Sequence, residues 1–552
     1  MLARALRLFH TVRHLRPIQV TGRLALRLRR LKPRPAPAPP LHSTDRHWSL
    51  PHWRAPSMLS PTRFRFLNED REAASELDWN RADWPRLWVY NLHYFDDLDA
   101  LGSGGRLPWH KQLIARWIAE NPAPIGAGWE PYSLSLRIVN WCRWSWSGNA
   151  LSPEAVQSMA VQVRALEDQI EVHLLGNHLL ANAKALIFAG LFFEGAEADR
   201  WLAVGTRHLQ TELREQVLTD GGHFERSPMY HAIIAGDVFE LLEAHELSPG
   251  RMPSQVVATL RQAGEVMLSW AETMVHPDGE ISFFNDAAFG VALTAAQLRV
   301  LGDRAGIASA PPVSPLTGLH ASGYIRAKSG PAVLIADVGE VGPDYLPGHA
   351  HADTLSFELS LYERRFLVNT GTSQYVGDRR LYERGSASHN TVVVDGADSS
   401  EVWSSFRVAR RARPFAVRYG AEAGEIVLAA AHDGYRRLGG RQDHYRSWTL
   451  LADGLTIEDR VTGRPCSAEA WFHFHPDIGV QAVDGGFQFS ADGAVIATVD
   501  FAHGSASIID GLWAPEFGRL EPNRALRIGF EGGRLVSCWR WVDPTRKLKR
   551  HR

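Results

Sequence analysis

Gly348-His349-Ala350-His351-Ala352-Asp353 lies about two thirds of the way along this chain, where long helical patterns give way to short alternating ones. If residues 349 to 357 form a strand, successive side chains alternate between its faces, and His349, His351 and Asp353 point the same way. Two imidazoles and a carboxylate are costly to bury unless each has a partner. The stretch therefore predicts either a metal or catalytic site or a hydrogen-bonded structural cluster.

Upstream of this stretch, from Leu87 to about Ser309, apolar residues recur with the period of a helix. The breaks between the segments carry Gly and Pro. Consecutive helices of this kind, without a sequence repeat of fixed period, predict a helical toroid or solenoid rather than a four-helix bundle. The segments with helical spacing are residues 109 to 120, 133 to 147, 153 to 173, 177 to 194, 197 to 217, 228 to 245, 253 to 275 and 295 to 304.

Downstream, from about Ser322, short strand-like runs alternate with Asp-Gly turns, which is typical of an antiparallel β-sandwich. The sequence thus predicts an α+β architecture of two domains. The boundaries are residues 1 to 40 for a basic arm and Pro-rich linker, 41 to 312 for the helical domain, 313 to 545 for the sandwich and 546 to 552 for a basic tail.

The composition excludes several classes of protein. The 552 residues are 45% hydrophobic and carry a net charge of -1, so the overall charge does not predict binding to nucleic acid. The sequence contains no run of about 18 apolar residues, so it predicts no membrane span. The three cysteines, Cys142, Cys466 and Cys538, are far apart and form neither a metal motif nor a disulfide framework.

The N-terminal arm has many arginines between residues 3 and 34 and no acidic residue there. The arginines interrupt its apolar residues, so it predicts one or two basic amphipathic helices rather than a signal peptide. Such an arm, like the basic tail, has the charge to touch an anionic surface, although solvated termini are the simpler interpretation of the tail.

Two helix starts carry polar residues suited to chemistry. Asn177 and His178 follow Gly176, and the positive end of a helix dipole there favours anions; Asn177 is equally a helix-capping residue type. Ser227 and Pro228 predict a cap and first helical position, which places Tyr230 in the first turn, at a site or at a domain seam.

The loop from residue 371 to 390 is polar and rich in arginine. Arg379, Arg380 and Arg384 have the planar geometry that holds carboxylates or sulfates with two hydrogen bonds. A solvated loop explains the same residues.

Taken together, these motifs resemble the heparinase II/III polysaccharide lyases, over nearly everything from residue 87 to about 480. The resemblance implies an incomplete (α/α) toroid followed by a β-sandwich, with the site in the cleft between them. The matching stretches are Asn-Leu-His-Tyr-Phe-Asp-Asp (91 to 97), Gly-Trp-Glu-Pro-Tyr (128 to 132), Gly-Asn-His-Leu-Leu-Ala-Asn (176 to 182), Ser-Pro-Met-Tyr-His (227 to 231), Gly-His-Ala-His-Ala-Asp (348 to 353) and Ser-His-Asn-Thr-Val-Val-Val-Asp-Gly (388 to 396).

The resemblance also implies β-elimination on a uronic-acid polysaccharide, a reaction that needs a group to offset the carboxylate, a base and an acid. Asn177, with His178, is expected at the carboxylate. Tyr230 is expected as the acid, and also as the base if both transfers occur on one face. His349 is the candidate base, and Tyr382 a second phenol. The candidate substrate-binding residues are Trp129, Glu130, His231, Arg379 and Arg384.

No cofactor is required by this chemistry, but the resemblance implies a structural zinc at His351, Asn369 and His389. Asn369 departs from the acidic ligand of some relatives and would bind zinc more weakly, unless Asp353 substitutes. Ala181 is a second departure, since some relatives carry an acidic residue there.

Two alternatives stay open: a glycoside hydrolase, which needs two facing carboxylates among Glu130, Glu225, Asp286 and Asp353, and a polysaccharide-binding protein with weakened turnover. The expected partner is an acidic polysaccharide, in particular a bacterial exopolysaccharide; nucleic acid is not expected, and a homodimer is left open. The resemblance favours a periplasmic location, whereas the lack of a clear signal peptide leaves a cytoplasmic or membrane-peripheral one.

Overall fold

The order of elements separates a helical half from a sheet half. The structure is a computed structural model and describes residues 2–28, 31–308, 314–464 and 466–543. The last helix of the first half ends at Arg304 and the first strand of the second begins at Leu316. The predicted tail, and the predicted boundary at residues 312 and 313, lie outside the described residues.

The helical half surrounds a large apolar core that includes Trp88, Trp117, Trp141 and Trp201, all buried. Helix α7 is largely apolar and buries every residue except His178, with α5 and α8 as neighbours. The helices are α1 (Leu2–Val12), α2 (Pro17–Leu28), α3 (Arg86–Tyr94), α4 (Leu107–Glu120), α5 (Pro131–Trp146), α6 (Pro153–Asp168), α7 (Gly176–Phe192), α8 (Ala196–Gln216), α9 (Pro228–Leu247), α10 (Ser254–Thr273), α11 (Ala295–Arg304) and, within the sheet half, α12 (Asp378–Glu383).

The strands run Arg63–Phe66 (β1), Glu69–Glu72 (β2), Leu316–Leu319 (β3), Tyr324–Ser329 (β4), Ala332–Asp337 (β5), Phe357–Leu361 (β6), Arg364–Leu367 (β7), Val392–Val394 (β8), Val402–Trp403 (β9), Arg407–Val408 (β10), Pro414–Glu422 (β11), Glu425–His432 (β12), His444–Leu450 (β13), Gly454–Val461 (β14), Ala468–His473 (β15), Gly479–Val483 (β16), Gly486–Ala491 (β17), Ala494–Ala502 (β18), Ser505–Trp513 (β19), Glu521–Phe530 (β20) and Arg534–Trp541 (β21). All pair antiparallel.

The sheet half contains three main sheets that share one core. Their strand orders are β3-β4-β5-β6-β7, β11-β12-β13-β14-β21-β18-β17-β16 and β19-β20-β15-β8. Alternating burial along β13 shows how one face of a strand packs on the core while the other faces outward. The predicted α+β fold, a helical toroid followed by a sandwich, is confirmed.

The two halves meet at Glu358, a fully buried residue on β6. Its carboxylate accepts hydrogen bonds from the backbone N–H of Phe283 (2.8 Å) and of Asn369 (2.7 Å). His276, from the helical half, lies 3.0 Å away through Nε2. This contact holds the loop after α10 against the sandwich and so positions Asp286.

The predicted strand from residue 349 to 357 is wrong. Residues 348 to 356 form an irregular loop, and β6 begins only at Phe357. The backbone of this loop forms hydrogen bonds that do not belong to a β-sheet. The N–H of His351 donates to Asn285 Oδ1 (3.0 Å), and the N–H of Ala352 donates to the Arg384 carbonyl (2.9 Å). His349 and His351 nonetheless both contact the carboxylate of Asp286.

The N-terminal arm forms the two predicted helices, and both pack on the rest of the chain. Arg16, between them, donates to Glu215 on α8 (3.0 Å) and lies over the ring of Tyr345 (3.7 Å). Trp403 on β9 donates to Thr11 of α1 (3.0 Å). Arm contacts therefore reach both halves. None of the helices in the described part of the chain is long and apolar enough to cross a membrane.

Candidate active site

Asp286, on the loop after α10, is the centre of a buried polar cluster. Its carboxylate forms an ion pair with Arg380 (2.7 Å to Nη2) and accepts hydrogen bonds from Nδ1 of His349 (2.7 Å) and Nε2 of His351 (2.8 Å). Burial opposes ionisation, but Arg380 and the two histidines outweigh it and lower the pKa of Asp286 well below its usual range. The cluster therefore holds a fixed negative charge behind His349.

His349 is presented to the cleft by this arrangement. Because Nδ1 of His349 donates a hydrogen bond to the Asp286 carboxylate, Nε2 is left free to accept a proton. The His349 side chain is 17% exposed, and the Tyr230 ring lies against it at a tilt of 34°, with 4.0 Å between the ring centroids. The tautomer and orientation needed for a general base are thus built into the fold.

Tyr230 lies in the first turn of α9, as predicted. Ser227 caps that helix by accepting a hydrogen bond from the Tyr230 N–H (3.1 Å), and Pro228 is the first helical residue. The Tyr230 hydroxyl shares a hydrogen bond of 2.8 Å with the hydroxyl of Tyr375. Burial raises the pKa of Tyr230 well above its usual value, so the phenol keeps its proton at neutral pH.

Asn177 and Glu225 form the other wall of the cluster. Asn177 is the second residue of α7, not its cap, because Leu175 takes the capping position with φ +64°. The Asn177 N–H donates to the Glu225 carboxyl, whose Oε2 is 3.8 Å from Nε2 of His349. Burial raises the pKa of Glu225, which favours its protonated form.

His178 lies at the edge of the same cleft. Its side chain is 38% exposed, and Nδ1 is 3.2 Å from the Glu171 carboxylate. Burial lowers its pKa, but the Glu171 charge outweighs this and raises it. The ring of Tyr132 lies 4.6 Å from that of His178, which gives this edge an aromatic face beside an imidazole.

Several residues predicted to bind substrate have other partners. Arg384 is fully buried and donates to the carbonyls of Ala350 (2.8 Å) and Ser404 (3.0 Å), so it supports the 348 to 356 loop and cannot reach a substrate. His231 is also buried, with Nε2 donating to the Met267 carbonyl (2.9 Å). Both side chains are used inside the protein, which does not support the predicted contact of either residue with substrate.

Three further predicted residues are also occupied by internal contacts. Buried Trp129 donates to the Asn121 carbonyl (3.1 Å). Glu130 is half-buried and pairs with Arg86 and Tyr90. Arg379 donates to Glu383 (2.9 Å) and lies over the Tyr382 ring.

Tyr382 does not join the cluster. Tyr382 is 41% exposed, whereas the phenol that is hydrogen-bonded to Tyr230 is that of Tyr375. The short helix α12 turns Tyr382 outward and Arg380 inward.

The three predicted zinc ligands, His351, Asn369 and His389, have hydrogen-bond partners within the protein. Both ends of the Asn369 amide are used, since Nδ2 donates to the Phe283 carbonyl (2.7 Å) and Oδ1 accepts from the Asn390 N–H (3.2 Å). His351 is held by Asp286, and its Nδ1 is 3.2 Å from Nε2 of His389. Asp353 accepts from the Asn285 N–H instead (3.2 Å). Within the described ranges, no group of three His, Cys, Asp or Glu side chains is arranged to hold a metal ion.

The structure adds to the candidate site several residues that sequence reasoning did not assign to it. Asp286 and Glu225 were candidates only for a hydrolase, Arg380 was a candidate for holding a carboxylate or sulfate or for a solvated loop, and Tyr375 had no role. Phe406, 45% exposed, places its ring 5.7 Å from that of Tyr375, at the mouth of the cluster. The nearest sequence signal for Tyr375 and Arg380 was the polarity of the 371 to 390 loop, which pointed to the segment but did not single out either residue.

Comparison with known proteins gives the family. The model described as heparinase II/III N-terminus matches residues 108–299, and the heparinase II/III-like C-terminal model matches residues 311–542. A heparin-sulfate lyase of Bacteroides thetaiotaomicron is 25% identical over 331 residues, 51% of this chain and 47% of that protein. FtsZ-localized protein C of Caulobacter vibrioides is 27% identical over 440 residues, 72% of this chain and 71% of that protein.

The fold agrees with this match. The crystal structure of heparinase III superposes with a TM-score of 0.66 at 19% identity, covering 87% of this chain and 80% of that one. The chain spans about half the length of the heparin-sulfate lyase it matches. Because the two family models together cover most of the chain, in order and on either side of the cleft, the chain belongs to the heparinase II/III family.

Proposed function

We propose that this chain is a polysaccharide lyase that cleaves a uronic-acid-containing polysaccharide by β-elimination. The observation that carries the proposal is the contact between Tyr230 and His349, with Tyr375 on one side and Asn177 and Glu225 on the other. In β-elimination a base removes the proton at C5, and an acid protonates the glycosidic oxygen that leaves C4. The cluster offers one residue for each of these tasks.

The carboxylate of the uronate needs partners that withdraw its charge as C5 loses its proton. Asn177 supplies an amide at the N-terminal end of α7, where the helix dipole also favours an anion. Glu225 supplies a carboxyl whose raised pKa favours the neutral form, which donates a hydrogen bond to a carboxylate. Its Oε2 has no hydrogen-bond partner among the described residues.

His349 is the proposed base and Tyr230 the proposed acid. The Asp286 carboxylate orients His349 and stabilises the imidazolium that forms when Nε2 takes the C5 proton. Tyr230 keeps its phenolic proton and gives it to the leaving oxygen, while Tyr375 supports the phenolate through their shared hydrogen bond. The products are a new reducing end and a 4,5-unsaturated uronate.

The geometry favours this reaction over hydrolysis. A glycoside hydrolase needs two carboxyl groups that face the same bond across a cleft. Asp286 is fully buried and used by Arg380 and two histidines, Asp353 is also buried, and Glu130 pairs with Arg86. Glu225 alone remains near the free nitrogen of His349.

The relatives named heparin-sulfate lyase support a uronic-acid polymer as the substrate class. Arg379, Arg380 and Arg384 have partners within the protein, so they do not support recognition of sulfate. We therefore extend the proposal to a polymer that carries uronic acid without an obligatory sulfate, such as a bacterial exopolysaccharide. Zinc stays a prediction, which metal analysis of the purified protein tests.

The test is incubation with a panel of sulfated and unsulfated uronic-acid polymers, followed by ultraviolet absorbance. A lyase produces rising absorbance from the unsaturated uronate, and Tyr230→Phe abolishes it. New reducing ends without absorbance would instead establish a hydrolase. Saturable binding without either product would identify a polysaccharide-binding protein, the role that Ala181 and Asn369 leave open.

A further inference from the structure

Helices α1 and α2 expose apolar side chains to an unusual extent. They hold eight of the 23 large apolar side chains that are exposed in the described part of the chain, although they have only 11 and 12 residues. A concentration of this kind marks an interaction surface rather than ordinary surface composition. The eight are Leu6, Leu8, Phe9, Val12, Ile18, Val20, Leu24 and Leu28.

The inner faces of the same helices are polar. Thr11 accepts a hydrogen bond from Trp403 (3.0 Å), and Arg7 lies 4.0 Å from Glu401. Among the described side chains of α2, Gln19 is buried, being 3% exposed, and donates to the Tyr345 carbonyl (3.1 Å). A surface helix normally turns its apolar stripe inward. Here the stripe faces outward while polar contacts anchor the helices to the protein.

The charge of this surface has one sign. The first acidic residue of the chain is Asp45, so neither helix carries a carboxylate. Arg4 and Arg23 are exposed and form no ion pair with any residue in ranges 2–28, 31–308, 314–464 and 466–543. Exposed apolar residues flanked by free arginines are what a helix needs to lie in the interface of an anionic bilayer.

We propose that the outward face of α1 and α2 docks on the surface of an anionic lipid membrane, with Phe9 and Leu24 entering the headgroup boundary. A second copy of this chain fits the surface less well, because a twofold contact brings arginines of like charge together. The proposal does not depend on the lyase activity, since lipid binding is measured without a polysaccharide.

The contacts of the arm give membrane docking a consequence for the cleft. Gln19 and Arg16 hold Tyr345, and the next residue, Leu346, packs over Gly176 at the start of α7. A side chain at residue 176 would place its Cβ 2.5 Å from Leu346. The membrane-facing helices are thus joined through two contacts to the residue that precedes Asn177, so docking fixes the position of the cleft relative to the lipid surface.

The test is sedimentation of the full-length protein with vesicles of phosphatidylglycerol or of phosphatidylcholine. We expect binding to the anionic vesicles that falls with rising salt, because the arginines act through a screened field. Arg4→Glu with Arg23→Glu should weaken binding at least fivefold per arginine. Phe9→Glu with Leu24→Glu should abolish it, while the control Leu77→Glu with Ile125→Glu, also exposed, should not change it.

Two results would overturn the proposal. One is equal or absent sedimentation of the wild type with both kinds of vesicle. The other is a dimer in light scattering that becomes a monomer in Phe9→Glu with Leu24→Glu, which would assign this surface to a second copy. Circular dichroism of each variant checks that the fold is intact.

Discussion

The hydroxyl of Tyr230 is the atom on which the proposed chemistry depends most directly. We expect Tyr230→Phe to lower kcat by roughly 10²- to 10⁴-fold, the usual contribution of a general acid. Tyr375→Phe should lower it about fivefold, because one hydrogen bond of roughly 1 kcal/mol to Tyr230 is lost. Initial rates from ultraviolet absorbance measure both effects. Tyr382→Phe is the matched control and should leave kcat unchanged. A loss of kcat in this variant comparable to that in Tyr230→Phe would show that Tyr382 takes part in the reaction.

Asp286 is expected both to stabilise the fold, by pairing with Arg380, and to support the reaction, by orienting His349. Asp286→Asn leaves the Arg380 guanidinium buried without its counter-charge, which should cost about 3 to 5 kcal/mol of unfolding free energy. Urea denaturation measures this loss. The double variant Asp286→Asn with Arg380→Met should recover part of the stability but none of the activity, since His349 still lacks its carboxylate. Recovery of activity would show that Asp286 only balances a charge.

At the scale of elements, β13 and β14 are joined by a buried ion pair in register. Arg446 lies opposite Asp459 and donates to it (2.7 Å), as does His444 (2.7 Å). Burial opposes ionisation, but these partners lower the pKa of Asp459 to about 2. The folded pKa is below the unfolded value of about 3.9, so the stabilisation is complete above that pH and is lost as pH falls towards 2.

This ion pair predicts a specific dependence on pH. The difference in unfolding free energy between wild type and Asp459→Asn should shrink by about 2 kcal/mol between pH 6 and pH 2.5, because Asp459 takes up a proton in the unfolded chain at a higher pH than in the folded protein. Urea denaturation at both pH values measures it. Glu458→Gln, on the same strand in an exposed pair with Arg534, should show differences near zero at both. A constant difference for Asp459→Asn would contradict the assignment.

At the scale of the whole molecule, Glu358 couples the toroid to the sandwich. Its removal leaves the N–H groups of Phe283 and Asn369 without their acceptor in a buried interface. We expect wild type to unfold in one calorimetric transition, and Glu358→Ala to unfold in two, the first at lower temperature. Asp510→Ala, in an exposed pair with Arg524, should behave as wild type. A single unshifted transition in Glu358→Ala would show that other contacts join the halves.

Local patterns predicted most of the helices closely. The predicted helix over 197 to 217 is observed at Ala196–Gln216, and the predicted 295 to 304 helix at Ala295–Arg304. Periodicity suffices there because burial of an amphipathic or apolar face is decided within a few turns. It failed at residues 348 to 356, where side-chain partners replace a strand ladder, and it missed α3 (Arg86–Tyr94), which is short.

The sequence by itself determined the fold class, the order of the two halves and the helix start that carries Tyr230, because caps, turns and periodicity act between near neighbours. Only the tertiary structure decided that Tyr375 rather than Tyr382 meets Tyr230, 145 residues away in the chain. It also decided that Asp286, 63 and 65 residues from its two histidines, organises the cluster. Such pairings depend on how two packed domains close on each other, and no local pattern records that.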